Sequence, residues 1–228
     1  MTFLWVLLAT TAAVFILRTP LKKYPVAFYV MAAAMVVLFA VEDMLGLSRA
    51  VSSILFMLVH KCTLALALFV IVMFIGVFSK TSKVRQWLQP IRAELSIIAW
   101  ILSLGHMFVY LVAYASRFAA GVVGGSVAVA LVVAIVLFAL LVVLGVTSLR
   151  LVKKRMAKKM WKRVQMLAYP FFALVYLHLM LMLLPPALAG GAAAQCSVGI
   201  YTVVFFVYVV ARFARAALDR RVSVRSEA

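Results

Sequence analysis

The sequence predicts an all-α fold: a polytopic membrane helix bundle of about seven transmembrane helices, N-terminus outside and C-terminus inside. Three observations predict it. Of 228 residues, 68% are hydrophobic and the mean hydropathy is +1.21, a composition that no water-soluble domain carries. Seven apolar segments are long enough to cross a bilayer. The basic residues are sorted by side: 20 of the 23 Lys and Arg lie in alternate connections or in the tail.

The first segment, 2–17, has no positive n-region and no convincing cleavage site after it, so it reads as an uncleaved helix rather than a signal peptide. Arg18, Lys22 and Lys23 follow, with Pro20 and Pro25 as breakers. The second segment, 26–45, ends with Glu42 and Asp43 near the outer border. The third, 53–79, reads as one continuous helix. The fourth, 93–116, carries His106, and the fifth spans 126–148. The sixth, 164–184, carries His178 and is expected to stop at Pro185-Pro186. Gly190-Gly191-Ala-Ala-Ala reads as a flexible outer loop before the seventh segment, 197–217.

Orientation follows from the charges. One side holds Arg18, Lys22 and Lys23, then Lys80, Lys83, Arg85 and Arg92, then eight basic residues over 150–163, then Arg212, Arg215, Arg220, Arg221 and Arg225. The other side holds Arg49, Lys61 and Arg117. The basic side is the cytoplasmic one, which predicts a multi-pass protein of the inner (plasma) membrane. The net charge of +18 in a soluble chain would suggest nucleic acid. Here the cationic connections set orientation and meet anionic lipid, so the bilayer is the expected partner and nucleic acid is not. Three parts follow: two N-terminal helices (1–52), a helical core (53–184), and an outer loop, seventh helix and cytoplasmic tail (185–228).

The chemistry centres on two histidines. His106 lies 14 residues past Arg92, and His178 lies 15 past Arg163. Both helices start at the basic border, so at ~1.5 Å per residue both imidazoles sit roughly 21–23 Å along. Two neutral imidazoles at one depth can ligate one haem iron from both faces, and an ionisable residue inside a membrane is a functional-site candidate by default. Gly105 offers close approach to a flat macrocycle, with Trp100, Phe108, Tyr110 and Tyr176 as nearby aromatic surface. Arg92, Arg150 and Arg163 are candidates for haem propionates or a quinone carbonyl, against a plain role at the lipid headgroups. The alternative for each histidine is a packing hydrogen bond to a neighbouring helix. His60, counted up a straight third helix from Lys80, falls ~30 Å above the border, beyond the pair. Cys62 and Cys196 form no CxxC; both fall near the outer face, where a disulfide is one option. There is no GxGxxG, no P-loop and no extramembrane stretch long enough for a flavin or nicotinamide domain.

These residues resemble the ferric-reductase-like transmembrane domain, nearest to the haem-binding membrane subunit of the periplasmic methionine sulfoxide reductase system. That pattern has a basic pair, a helix ending in Leu-His, and a tyrosine four residues on; here Arg92-Ala-Glu-Leu-Ser-Ile precedes Leu104-Gly-His106-Met-Phe-Val-Tyr110. It continues with Thr-Ser, a basic loop, Trp-Lys-Arg-Leu-His, Tyr-Pro and a second histidine. Here Thr147-Ser148 leads to Trp161-Lys-Arg-Val-Gln165-Met-Leu-Ala-Tyr169-Pro170, then His178. The match covers about 53–184. The resemblance implies a haem b subunit, with His106 and His178 as metal ligands and Arg92 and Arg163 in the cofactor site. It implies electrons taken from a quinol or a flavoprotein and passed to an outer-face redox partner, so the chain is an electron-transfer subunit rather than a complete enzyme. Gln165 departs from the pattern, which has histidine there for an inner haem, so one haem is expected, with a quinone as a further candidate. The competing readings are a transport subunit, against which there is no inverted repeat, and a structural or assembly subunit without its own redox centre.

Overall fold

The structure is a computed structural model. It describes the backbone of residues 2–121 and 124–227, and the side chains among these except at 43, 115, 116, 118, 119 and 221–227. Asp43, Arg221 and Arg225 of the charge reading therefore lie outside the described side chains. The elements are α1 (Thr2–Ile16), α2 (Arg18–Lys23), α3 (Pro25–Ala40), α4 (Glu42–Leu45), α5 (Arg49–Leu55), a π-helical turn (Phe56–His60), α6 (Thr63–Ile75), α7 (Lys83–Leu88) and a 3-10 turn (Gln89–Ile91). They continue with α8 (Arg92–Ala119), α9 (Gly125–Ser148), α10 (Arg150–Arg155), α11 (Lys158–Gln165), α12 (Ala168–Leu188) and α13 (Ala192–Glu227). Among the described residues there is no strand, as expected where each backbone polar group must be satisfied within its own segment.

All seven apolar segments are helical. Among the described residues, four helices are long and apolar enough to cross a membrane: Lys83–Tyr114, Gly125–Ser148, Lys158–Leu188 and Ala192–Arg220. The third segment is not the single helix expected. It is Arg49–His60 followed by Thr63–Ile75, bent by 43°. α1 and α3, at 15 and 16 residues, are shorter.

α6 is the central post. Its sequence, TLALALFVIVMFI, has no polar face, and residues on every side of it are buried, as a fully enclosed helix requires. One face packs with Leu88, Ile91, Leu95, Ala99 and Leu102 of the α7–α8 arm and with Ala32 of α3. The other packs with Phe3 and Val6 of α1, Phe172 of α12, and Tyr201, Phe205 and Tyr208 of α13. A further cluster joins α9 to α12 through Leu137, Leu141 and Phe171, with Leu104 and Trp100 of α8 and Leu174 and Val175 of α12 against it. The outward sides carry exposed apolar groups, Trp5, Ile16, Phe108 and Phe206 among them, the pattern of surfaces that face lipid.

Two glycines set helix spacing, and both overturn a sequence expectation. A Cβ on Gly105 would stand 2.5 Å from Val36 Cγ1, so the bare face of Gly105 is filled by α3 and not open to a macrocycle. A Cβ on Gly145 would stand 2.2 Å from Trp100 Nε1, so the Trp100 indole is spent on the α8–α9 contact. Small residues at such crossings let membrane helices approach closely.

Two other expectations are corrected. Pro185-Pro186 does not stop the sixth segment: α12 runs through both to Leu188. Proline removes N–H donors but keeps its carbonyl, and Ala189 N–H and Gly191 N–H donate to the Pro185 and Pro186 carbonyls. The expected outer loop shrinks to residues 189–191, because the alanines after it, strong helix formers, begin α13. Cys62 and Cys196 form no disulfide; Cys62 Sγ instead lies 3.7 Å from Ser103 Oγ.

Gly105→Ala should lower stability by about 1–3 kcal/mol through overpacking, read as thermal unfolding of the detergent-solubilised protein. Val36→Ala in the same chain should restore most of it. A Gly105→Ala protein as stable as wild type would show that α3 does not pack so closely.

Candidate functional site

His106 and His178 reach one level of the bundle from separate helices. The Leu137–Leu141–Phe171 cluster takes in Leu104 of α8 and Leu174 of α12. His106 lies two residues beyond Leu104 and His178 four beyond Leu174, so both stand roughly 3–6 Å above that cluster. The two imidazoles lie within electrostatic reach of each other. The close helix pairs are α12 with α9 and α13, α6 with α8, α3 with α8, α1 with α6, and α8 with α9. The helices that bear the two histidines are not among them; they meet through side chains, with Trp100 and Leu104 of α8 in the same cluster as Phe171, Leu174 and Val175 of α12.

Each ring is anchored through the same atom. His106 Nδ1 lies 2.5 Å from the His60 carbonyl oxygen, and His178 Nδ1 lies 3.2 Å from the Ala130 carbonyl oxygen. A carbonyl only accepts, so Nδ1 carries the proton in both rings and Nε2 keeps its lone pair. A ring N–H held by a carbonyl is the usual support of a metal-ligating histidine, because it fixes the tautomer and makes the other nitrogen more basic.

The acceptor for His106 comes from the break in the third segment. Phe56–His60 is a π-helical turn, and Cys62 follows with φ 55°, in the left-handed region that residues other than glycine seldom enter. The turn shifts the hydrogen-bond ladder: Lys61 N–H donates to Phe56 O, Cys62 N–H to Val59 O, and the Thr63 hydroxyl to Met57 O at 2.6 Å. The His60 carbonyl is left outside the ladder, and His106 takes it. π-turns inside helices mark functional sites more often than chance.

The same break corrects the place of His60. A straight helix from Lys80 put it above the pair, but residues 76–82 are mostly non-helical and the segment bends, which brings it down to the level of His106. Its ring stacks on Phe56 (4.5 Å between centroids) and lies near Tyr110 (4.9 Å) and Phe39 (5.6 Å). His60 Nδ1 and Glu42 Oε2 are both buried without a hydrogen-bond partner. Of the aromatic residues expected around the pair, Tyr110 is there, 4.7 Å from the His106 ring. Phe108 faces outward. Tyr176 turns to α13, with its hydroxyl 3.0 Å from Thr202 Oγ1.

Arg92 and Arg163 stay at the basic end. Arg92 opens α8, about 21 Å of helix below His106, and Arg163 is exposed on α11. Two contacts fasten this end, and the first carried no sequence signal. Glu94, buried, accepts from Arg150 Nη2 at 2.7 Å, and that hydrogen bond raises the Arg150 guanidinium above its ordinary value. Thr147 gathers α11 onto α9: its carbonyl accepts from Trp161 Nε1 (3.0 Å) and its hydroxyl from Gln165 Nε2 (3.1 Å). The Thr-Ser and Trp-Lys-Arg runs noticed in the sequence are thus brought together.

As a donor set, the pair offers two neutral imidazole nitrogens and nothing else. Among the described residues, no three His, Cys, Asp or Glu side chains come together around a possible metal ion. A metal held by this pair must bring its remaining ligands with it, as iron in a macrocycle does.

The chain is 36% identical over 226 residues to a protein of Treponema pallidum (strain Nichols) described only as uncharacterised. The alignment takes in 97% of this chain and 62% of the relative, so the chain spans less than two thirds of that protein. No family model matches the chain, and no solved structure matches it.

Replacing Arg150 with alanine strands the buried Glu94 carboxylate and should cost about 1–3 kcal/mol of stability. Adding Glu94→Gln should return part of the loss, since a neutral amide tolerates burial without a cation. Equal thermal stability of Arg150→Ala and wild type would mean that water reaches the carboxylate.

Proposed function

We propose that this chain is a haem b electron-transfer subunit, with His106 and His178 as the two axial ligands of one haem. The observation that carries the reading is the matched anchoring of two imidazoles at one level, each with Nδ1–H on a backbone carbonyl and Nε2 left for a metal. The donor set supports it further, since two imidazoles suffice only for a metal that arrives in its own macrocycle. Helix spacing agrees: packed helices stand about 8–10 Å apart, and two imidazoles with an iron between them need more room than that. The resemblance to the ferric-reductase-like domain points the same way.

When bound there, haem b would supply a one-electron redox centre. The protein's part is to hold and tune it. The His60 and Ala130 carbonyls orient the two rings and raise the basicity of their Nε2 atoms. Leu104, Val133, Leu137 and Leu174 form an apolar floor beneath the pair that keeps water out. Gln165, turned onto Thr147, is a poor iron ligand, and this supports a single haem. The electron donor is a quinol or a flavoprotein, and the acceptor is a redox partner on the outer face. The protein is assigned seven spans, with the basic ends of α8, α9, α12 and α13 inside, in an inner (plasma) membrane. The distribution of basic residues supports this orientation.

The purified protein should show a low-spin haem b spectrum, with about one haem per chain by pyridine haemochrome. His106→Ala and His178→Ala should each abolish or strongly shift the Soret and α bands while leaving the chain in the membrane. His60→Ala should leave them near wild type, because the acceptor for His106 is backbone. A haem-free wild-type protein would leave the histidines as packing residues and sink the proposal.

Orientation is tested in a background with Cys62 and Cys196 replaced by serine. A membrane-impermeant thiol reagent applied from outside should label Ala189→Cys and not Lys158→Cys. The opposite pattern would overturn the orientation.

A further inference from the structure

Three helices converge at the basic end on a group of side chains that the function above does not use. Tyr169 is the second residue of α12, and its hydroxyl accepts two bonds from Arg212 of α13, from Nη2 at 2.9 Å and Nε at 3.2 Å. The Arg212 guanidinium also lies over the Tyr169 ring, 5.4 Å from its centroid. Tyr208, one turn before Arg212, is buried against Phe172 and Phe74. Arg92, at the start of α8, lies within electrostatic reach of the Tyr169 and Tyr208 hydroxyls, and Tyr208 within reach of Arg212 as well.

The group is rich in donors and short of acceptors. A phenol oxygen that accepts from a guanidinium through both lone pairs has its own proton left to donate, so the Tyr169 O–H points away from Arg212. Arg212 keeps further N–H groups, and Arg92 has a whole guanidinium paired with no carboxylate among the described residues. The described acids are spent or distant. Glu94 takes Arg150, Asp219 takes Arg215, and Glu42 lies at the far end of the bundle with His60.

The group also sits at one defined height. Arg212 is 20 residues past the start of α13, or roughly 30 Å along it, the thickness of a bilayer's hydrocarbon core. Arg92 and Tyr169 open their helices at this same end. Two planar guanidinium forks and a phenol proton at that height match the oxygens of a phosphate group.

We infer that Arg92, Tyr169 and Arg212 form a binding site for a phosphate group at the membrane border, between the first turns of α8 and α12 and the stretch of α13 around Arg212. An anionic phospholipid headgroup and a soluble phosphate share this chemistry. The site is independent of the haem reading.

The test uses the full chain in detergent and titrates it separately with short-chain phosphatidylglycerol, phosphatidylcholine and inorganic phosphate, with thermal stabilisation and native mass spectrometry as readouts. Wild type should bind phosphatidylglycerol. The double variant Arg92→Gln/Arg212→Gln should bind it about tenfold more weakly or worse. Tyr169→Phe, a milder change, should show a smaller loss in the same direction and stands in if the double variant does not fold. Lys158→Gln/Lys159→Gln, on the neighbouring basic helix, should bind like wild type. Preference for the lipid over phosphatidylcholine, with no response to inorganic phosphate, identifies a headgroup; a response to inorganic phosphate that the arginine variants lose identifies a soluble anion. Equal binding of phosphatidylglycerol and inorganic phosphate by wild type, Tyr169→Phe and the arginine variants would overturn the site.

Discussion

A backbone carbonyl inside a bilayer has no water to turn to, so a helix that breaks there must find a donor for the oxygen it releases. The turn at 56–62 releases the His60 carbonyl, and the ring of His106 meets it at 2.5 Å. Much of the bundle depends on this bond. It ties the bent segment that carries α6 to α8, and α6 is the post on which both principal cores are built. It also fixes which nitrogen of His106 is protonated. The fold and the candidate chemistry are therefore two results of one hydrogen bond: satisfying the broken helix prepares the imidazole.

The other end of the bundle solves the opposite problem. There charge is plentiful and acid scarce, 23 basic residues against 5 acidic in the whole chain. One buried carboxylate, Glu94, is placed where Arg150 can reach it. Thr147 fastens α11 to the end of α9 with neutral bonds, so in the most basic connection Arg150 takes the carboxylate and α11 is held by uncharged partners. The cations left over face the border, and the proposed phosphate site is a consequence of that imbalance.

Hydropathy and the distribution of basic residues were enough to locate all seven helical segments and the basic end, because burial in lipid imposes composition directly. The shared level of His106 and His178 was read by counting up from Arg92 and Arg163, and the structure puts Arg163 on α11, before α12 begins at Ala168. What could not be read came from backbone. Phe56-Met-Leu-Val-His-Lys-Cys-Thr63 looks like continuous helix, since a π-turn leaves no compositional mark, and His60 was accordingly set too high. The carbonyls of His60 and Ala130 have no residue type to betray them. Gly105 was visible as a gap, but a gap does not say whether a cofactor or Val36 fills it. Pro185 and Pro186 read as a stop because the sequence shows the lost donors and not the retained acceptors.

The connection between α12 and α13 is only three residues, and its Ala189, Gly190 and Gly191 N–H groups close the Pro185, Ala187 and Pro186 carbonyls at the end of α12. The two helices run antiparallel, with Phe172 on Phe205 and Tyr176 on Thr202. Neither helix can enter the bilayer far ahead of the other, since so short a tip cannot stay behind on the entry side. The segment bearing His178 is thus backed by α13, and its other faces meet α6 through Phe171 and Phe172 and α9 at the Ala130 carbonyl.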